Sequence, residues 1–541
     1  MYYVLSTRCW ASTAAVCLAS SLSLASYAQT VPDAGRILQD TLPEADYQPR
    51  PSSVELDLQG APLDEGDAGG TEVRVDRIEI TGNTVYDDAT LLNLLQNETG
   101  TAQDMAGLQA MSNRLSRFYR ENGYPFAQAF LPRQDLSQGT LRMTIIEGRY
   151  GEVSTSGDDA ALTADVAPYL ADLQTGDVIQ GNRLERTALL LGDLPGISVT
   201  PVMRPGEETG TGDFDVNVAA DRRVEGYVGA DNHGSRSSGE GRAMVGVQAN
   251  RLLRVGDRLD ATALYSEEDL WLGRLAYSMP LGYQGWRAEA VYARTEYDLR
   301  APFNGFTGTA DTSNITLSYP LIRQQQTNLT ASFGGEYTEL NDRFEGVSYQ
   351  KRYGHSWPLA LQFDHRDALG QGGVTFGEAS LQSGQISNPA NDSVDGGYTK
   401  ANVRLSRLQN LGHRFSLMAR GDIQWADKPL DSSEGMSLGG ARGVRAYPQG
   451  EVSGSRVWLT QAEVRYQATP ELAPYVFYDH GARQRFGEET SETLAGGGAG
   501  VRYTNGDWTI DTAVATQTTG DAASSDKQRD PRFWLSTRFA F

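Results

Sequence analysis

From about residue 223 to Phe541, apolar and polar residues alternate with period two, and that alternation bounds what the chain can fold into. In 328–338, Leu329, Ala331, Phe333 and Tyr337 oppose Asn328, Thr330, Ser332 and Glu336. In 414–425, Phe415, Leu417, Ala419, Ile423 and Trp425 oppose Arg414, Ser416, Arg420, Asp422 and Gln424. In 457–467, Trp458, Ala462, Val464 and Tyr466 oppose Gln461, Glu463, Arg465 and Gln467. Successive side chains of a strand point to opposite faces, so each segment offers one apolar and one polar face. A soluble sandwich also alternates, but rarely over so long a stretch. Lipid outside and water inside demand this pattern throughout. At roughly 20 residues per strand and connection, the region holds about sixteen antiparallel strands of a membrane β-barrel. The terminal run puts Phe533, Leu535, Phe539 and Phe541 on one face, as expected of the strand that closes such a barrel.

Composition removes the other ways into a membrane. The hydrophobic fraction is 39%, the mean hydropathy is −0.44, and no long apolar run follows the N-terminus, which excludes a bundle of membrane helices. Residues 1–28 read as a secretory signal peptide: Arg8 supplies the charge, Ala11 to Leu24 the apolar stretch, and Ser26-Tyr27-Ala28 a cleavage site. Both cysteines, Cys9 and Cys17, fall inside it, and Ala14-Ala15-Val16 lacks the pattern of a lipoprotein site. The exported chain then has no thiol for catalysis or metal binding.

The net charge of −22 argues against nucleic acid. His233, His355, His365, His413 and His480 are scattered without metal-ligand spacing. Gly439 to Gly443 lacks the Gly-Lys-Ser/Thr ending of a phosphate loop. No Gly-x-Ser-x-Gly elbow is present. We therefore expect no enzyme and no cofactor.

Ahead of the barrel, residues 29–70 combine a polar linker with one short amphipathic piece, Pro32-Asp33-Ala34-Gly35-Arg36-Ile37-Leu38-Gln39. Residues 71–148 then predict a strand through Val73, Val75, Ile78 and Ile80, helices near 88–97 and 104–122, and strands at 126–131 and 141–146. Residues 149–222 repeat the order, with a strand near 151–154, helices near 161–172 and 182–193, and strands at 197–203 and 214–219.

These modules resemble POTRA domains. Ile80-Thr81-Gly82-Asn83-Thr84, Tyr119-Arg120-Glu121-Asn122-Gly123-Tyr124-Pro125 and Glu147-Gly148 are similar to the first POTRA of two-partner secretion transporters, the haemolysin secretion and activation family. Leu190 to Gly196 resembles the second, and Pro32 to Gln39 resembles the plug helix of that family. Leu438 to Tyr447, with Val444-Arg445-Ala446-Tyr447 at its core, resembles the sixth extracellular loop, whose pattern is Val-Arg-Gly-Tyr; Ala446 departs from it. Phe477-Tyr478-Asp479-His480-Gly481 matches the Phe-x-Asp-x-Gly motif of the facing wall.

The resemblance implies an outer-membrane pore with a loop near 438–455 folded into its lumen and Arg445 paired with Asp479. A guanidinium fork suits a carboxylate in bidentate fashion. Phe477, Asp479 and Gly481 would face inward on one strand, Gly481 leaving room for the loop. Ala446 is expected to strain the loop if Gly is needed for its backbone freedom. The resemblance further implies that periplasmic POTRA domains bind an unfolded exoprotein of the adhesin or haemolysin class, which threads through the lumen to the surface. The barrel-assembly machinery of the outer membrane would read the terminal aromatic, and outer-membrane lipids would surround the wall. A barrel-assembly factor of the same superfamily and a passive porin are the alternatives; the first differs in POTRA number and the second lacks POTRAs.

Overall fold

The computed structural model describes residues 31–41, 48–50, 60, 62–66, 69–487, 491–520 and 529–541. The expected signal peptide lies outside them. A short helix, α1 (Ala34–Thr41), precedes two small α+β modules and a closed barrel.

In the first module α2 (Asp88–Asn93) and α3 (Met105–Glu121) pack on a three-stranded sheet. The Asp104 carboxylate caps α3 by accepting from the Gly107 N–H, satisfying a donor that a helix start leaves free. Leu108, Met111, Leu115 and Tyr119 repeat at helical spacing and are buried, over a sheet whose central strand is Thr140–Ile146. The expected strand through Val73 and Ile80 is two strands. Val73–Arg74 pairs with Ala102–Gln103, whereas Arg77–Thr81 pairs with Thr140–Ile146. The chain changes partners at Val75, whose N–H and C=O are taken by Thr101 and Gly100.

The motif segments of this module converge on one buried carboxylate. Glu147 accepts from Thr84 N (2.6 Å), Val85 N (2.8 Å), the Thr84 hydroxyl and the Tyr119 hydroxyl (3.1 Å). Burial alone would raise its pKa; the hydrogen bonds from Thr84, Val85 and Tyr119 outweigh burial and hold it below the usual value. Burial, and then the Glu147 charge, push the Tyr119 hydroxyl up.

The second module repeats the plan with α4 (Ala160–Val166), α5 (Gly181–Gly192) and the sheet order Arg149–Ser156, Thr211–Ala220, Ile197–Pro205. The helix expected over 161–172 tightens to a 3₁₀ turn at Ala167–Leu170, where Pro168 sits near its start. Gly181 N donates to Gly123 O and ties the modules together (2.9 Å).

Sixteen antiparallel strands, from Val224–Asp231 to Arg532–Ala540, form the barrel, and the last pairs with the first. No helix among the described residues is long and apolar enough to cross a membrane. Strand lengths run from 8 residues (Val224–Asp231) to 21 (Val347–Asp367); about 9–11 suffice to span the bilayer, so the wall is much taller on one side. Phe333, Tyr337, Trp357, Trp425, Trp458 and Tyr478 are exposed on the outside, while Asn328, Thr330, Asp364 and Asp422 are buried within.

The second module rests on the turns at the near end. Asp193 accepts from Arg323 Nη2 (2.7 Å) and Nε (2.8 Å). Leu194 and Leu190 lie against Gly256 and Gly285. The Leu190 to Gly196 run therefore joins module to barrel.

Candidate functional site in the barrel lumen

Residues 427–455 connect strands Phe415–Ala426 and Arg456–Tyr466 at the end of the barrel away from the modules. This is the sixth connection on that side. Met436–Ser437 pairs with Ser453–Gly454 across its neck, and beyond the neck the loop turns inward. Leu438, Val444, Ala446 and Tyr447 are buried against Val457, Leu459, Phe477 and Trp534 of the wall.

Inside the loop, Val444 N donates to Leu438 O and Tyr447 N to Val444 O. That tight turn presents Arg445 to the wall. Arg445 Nη2 donates to Asp479 Oδ1 (2.7 Å) and Nε to Oδ2 (2.8 Å). The Arg445 backbone N–H also donates to Oδ2 (3.1 Å). Nη1 reaches Glu463 Oε2 (3.1 Å), and the guanidinium lies 3.4 Å from the centre of the Phe477 ring. A charge this deep needs such full partnering, because removing either partner strands the other.

The wall accepts the loop through its alternation. Phe477, Asp479 and Gly481 are buried while Val476 and Tyr478 face out. A Cβ on Gly481 would stand 2.7 Å from Leu438 Cδ2, so glycine makes room for the loop. The strain expected at Ala446 is absent: its φ is not among the positive ones. Its methyl fits because Gly496 of the facing strand has no side chain.

Three contributors lie outside the loop and wall motifs. Glu463 shares Arg445, Gly496 receives Ala446, and Trp534 Nε1 donates to Arg445 O (2.7 Å). Alternation alone could have placed Glu463 and Trp534 on the inner face, but nothing in the spacing selects them.

The short amphipathic piece also lies within the lumen. Ala34, Ile37 and Leu38 of α1 are buried against inward Leu264, Leu272, Tyr297 and Leu340. Ahead of the helix, Asp33 pairs with Arg352 (3.0 Å), which also holds Asp342 (2.9 Å) and Asp431 (2.9 Å). Ala34 N donates to Asp342 Oδ1 (2.7 Å). On the loop side, Arg36 donates to Ser437, and Gln449 to Asp40 (3.0 Å). So short a helix is unstable alone in water; wall and loop supply its support. Pro32 and Gly35 flank this contact, and Gly35 is pressed against Ser432 and Ser433.

At the chain's end Phe533 and Leu535 face outward, Phe539 packs near Trp508 and Phe541, and Phe541 exchanges backbone hydrogen bonds with Gly226. The five histidines are not gathered, and no group able to hold a metal occurs among the described residues.

Residues 210–503 match the family described as haemolysin secretion/activation protein ShlB/FhaC/HecB. The chain belongs to this family. Residues 73–148 match the ShlB-type POTRA domain. The transporter is 28% identical over 476 residues to the heme/hemopexin transporter protein HuxB of Haemophilus influenzae strain 86-028NP, covering 82% of this chain and 83% of that one. It is 24% identical to the outer membrane transporter CdiB of Escherichia coli O6:K15:H31, covering 84% and 80%. The solved structure of CdiB from Escherichia coli superposes with a TM-score of 0.76 at 21% identity, covering 90% of this chain and 94% of that one. The transporter is thus an outer-membrane β-barrel of the two-partner secretion system, with its POTRA region in the periplasm and a secreted exoprotein as its cargo.

Proposed function

We propose that the Arg445 loop, docked on Asp479, holds the lumen in the shape that passes an unfolded exoprotein, and that α1 occludes that lumen at rest. The POTRA modules, divided near residues 148 and 222, present sheet edges to which an extended segment of the exoprotein can add a strand. On engagement α1 leaves the lumen and the exoprotein threads outward. The cargo is a large exoprotein of the adhesin, haemolysin or toxin class, and the barrel-assembly machinery inserts the transporter by reading the strand that ends at Phe541.

The observation that carries this reading is the Arg445–Asp479 fork, which costs a buried charge pair and ties an extracellular loop to the inner wall. A double-mutant cycle tests it. Arg445→Ala and Asp479→Ala should each leave the barrel in the membrane and sharply reduce exoprotein at the surface, normalised to transporter abundance. The double variant should lose less than the two single losses combined. Strictly additive losses would mean that the two residues act separately.

A further inference from the structure

The seam between the last and first strands is the shortest pairing in the barrel wall, Ser536–Ala540 against Tyr227–Asp231. Beyond it, in place of a strand, the wall is held by Asn232 and by the Arg529–Glu240 ion pair (2.8 Å). Asn232 Oδ1 accepts from Leu535 N (2.8 Å), its Nδ2 donates to Phe533 O (2.9 Å), and its backbone N donates to Leu535 O (3.2 Å). Trp534 lies between those two anchored residues and points inward, buried. Its indole N–H donates to Arg445 O. Its ring forms a T-shaped pair with that of His233, which follows the first strand, with centroids 5.6 Å apart and planes at 82°. One side chain on the last strand therefore touches both the docked loop and the far side of the seam.

We propose that Trp534 is a positioning residue that couples docking of the Arg445 loop to closure of the seam. While the loop is docked, its carbonyl fixes the indole, and the indole holds Phe533 to Leu535 in register with Asn232. When the loop leaves, a buried donor loses its partner, the ring is free to turn away from His233, and the seam is left to the short pairing, Asn232 and the Arg529–Glu240 pair. The seam then opens locally far more often than the rest of the wall. This rests on the docked loop described above. Its test uses the resting transporter without exoprotein, so failure here leaves the secretion cycle to be judged separately.

The test is amide hydrogen exchange on the full chain in detergent micelles, followed for the segments 224–231 and 532–541. Trp534→Phe keeps a ring and deletes the donor, and should speed exchange of both segments roughly fivefold, the scale of one lost neutral hydrogen bond. Arg445→Ala should speed the same segments at least as much. The double variant should exchange no faster than Arg445→Ala alone. Strands Thr327–Phe344 and Val347–Asp367, remote from the seam, should be unchanged in all three. Unaltered seam exchange in Trp534→Phe would overturn the proposal. So would an equal further increase when Trp534→Phe is added to Arg445→Ala, or a rise spread evenly over the wall. Should Trp534→Phe fail to fold, His233→Ala removes the ring's partner across the seam and must show the same pattern of segments.

Discussion

At the scale of single residues, Asp479 accepts three hydrogen bonds from one donor residue, Arg445. Two glycines beside it, Gly481 and Gly496, leave the loop its room. A Cβ added at Gly496 would overlap the Ala446 methyl and crowd Thr516 O. Gly496→Ala should therefore displace the loop and reduce secretion, whereas Ala446→Gly should be tolerated. Combining them should recover part of the loss, because Thr516 O remains in the way; secretion normalised to barrel abundance reads this. Glu147 makes a second residue-scale test. Its folded pKa is depressed, so its charge stabilises the first module above the ordinary carboxylate range, and this is lost as pH falls through the folded pKa. Glu147→Gln should lower stability by about 1–3 kcal/mol near neutral pH. The gap to wild type should narrow on acidification, measured by urea unfolding of a fragment spanning both modules.

At the scale of elements, α1 is a helix only because the wall and loop 427–455 receive it. Deleting residues 29–50 should raise single-channel conductance in planar bilayers, and Arg352→Ala, which leaves Asp33, Asp342 and Asp431 facing one another without their cation, should raise it in part. Unchanged conductance in both would remove α1 from the pore. Elements were also the scale at which the sequence was most readable. Period-two alternation names the inner and outer faces of each strand without reference to any other strand, which is why Phe477, Asp479 and Gly481 could be assigned a common face. Arg352, Asp342 and Asp431 could not be joined that way, since such a cluster is made by barrel closure and carries no spacing of its own. Trp534 differs: standing between outward Phe533 and Leu535, it is turned inward by the alternation, but nothing in the spacing tells that its indole meets the Arg445 carbonyl. The break at Val75 was invisible because its cause is Thr101 and Gly100, a neighbouring turn.

At the scale of the molecule, modules and barrel are joined by Asp193 and Arg323. The arginine is buried and its carboxylate partner half-exposed, so truncating the arginine removes the more constrained partner. Arg323→Ala should leave the barrel inserted but free the second module from the turns beneath it, and trypsin should then cut at Arg222 and Arg223 several-fold faster than in the wild type. An unchanged cutting rate would mean that the other contacts, among them Leu190, Leu194, Arg186 to Pro320 and Gln325 to Glu185, hold the junction without it. The helix proposed as the plug, α1, also belongs to the whole molecule. Residues 42–72 join it to the first POTRA strand; among them Arg50 meets Asp364 of the wall and Asp64 meets Asn113 of the first module, and their fully extended length, about 100 Å, is the upper bound on how far α1 can stray. A plug on such a leash, once displaced, meets its own barrel at an effective concentration of order millimolar. Resealing is therefore a first-order event. Its rate is the same in a cell with few transporters as in one with many, and a detached plug peptide added from outside would have to approach millimolar levels to compete with it.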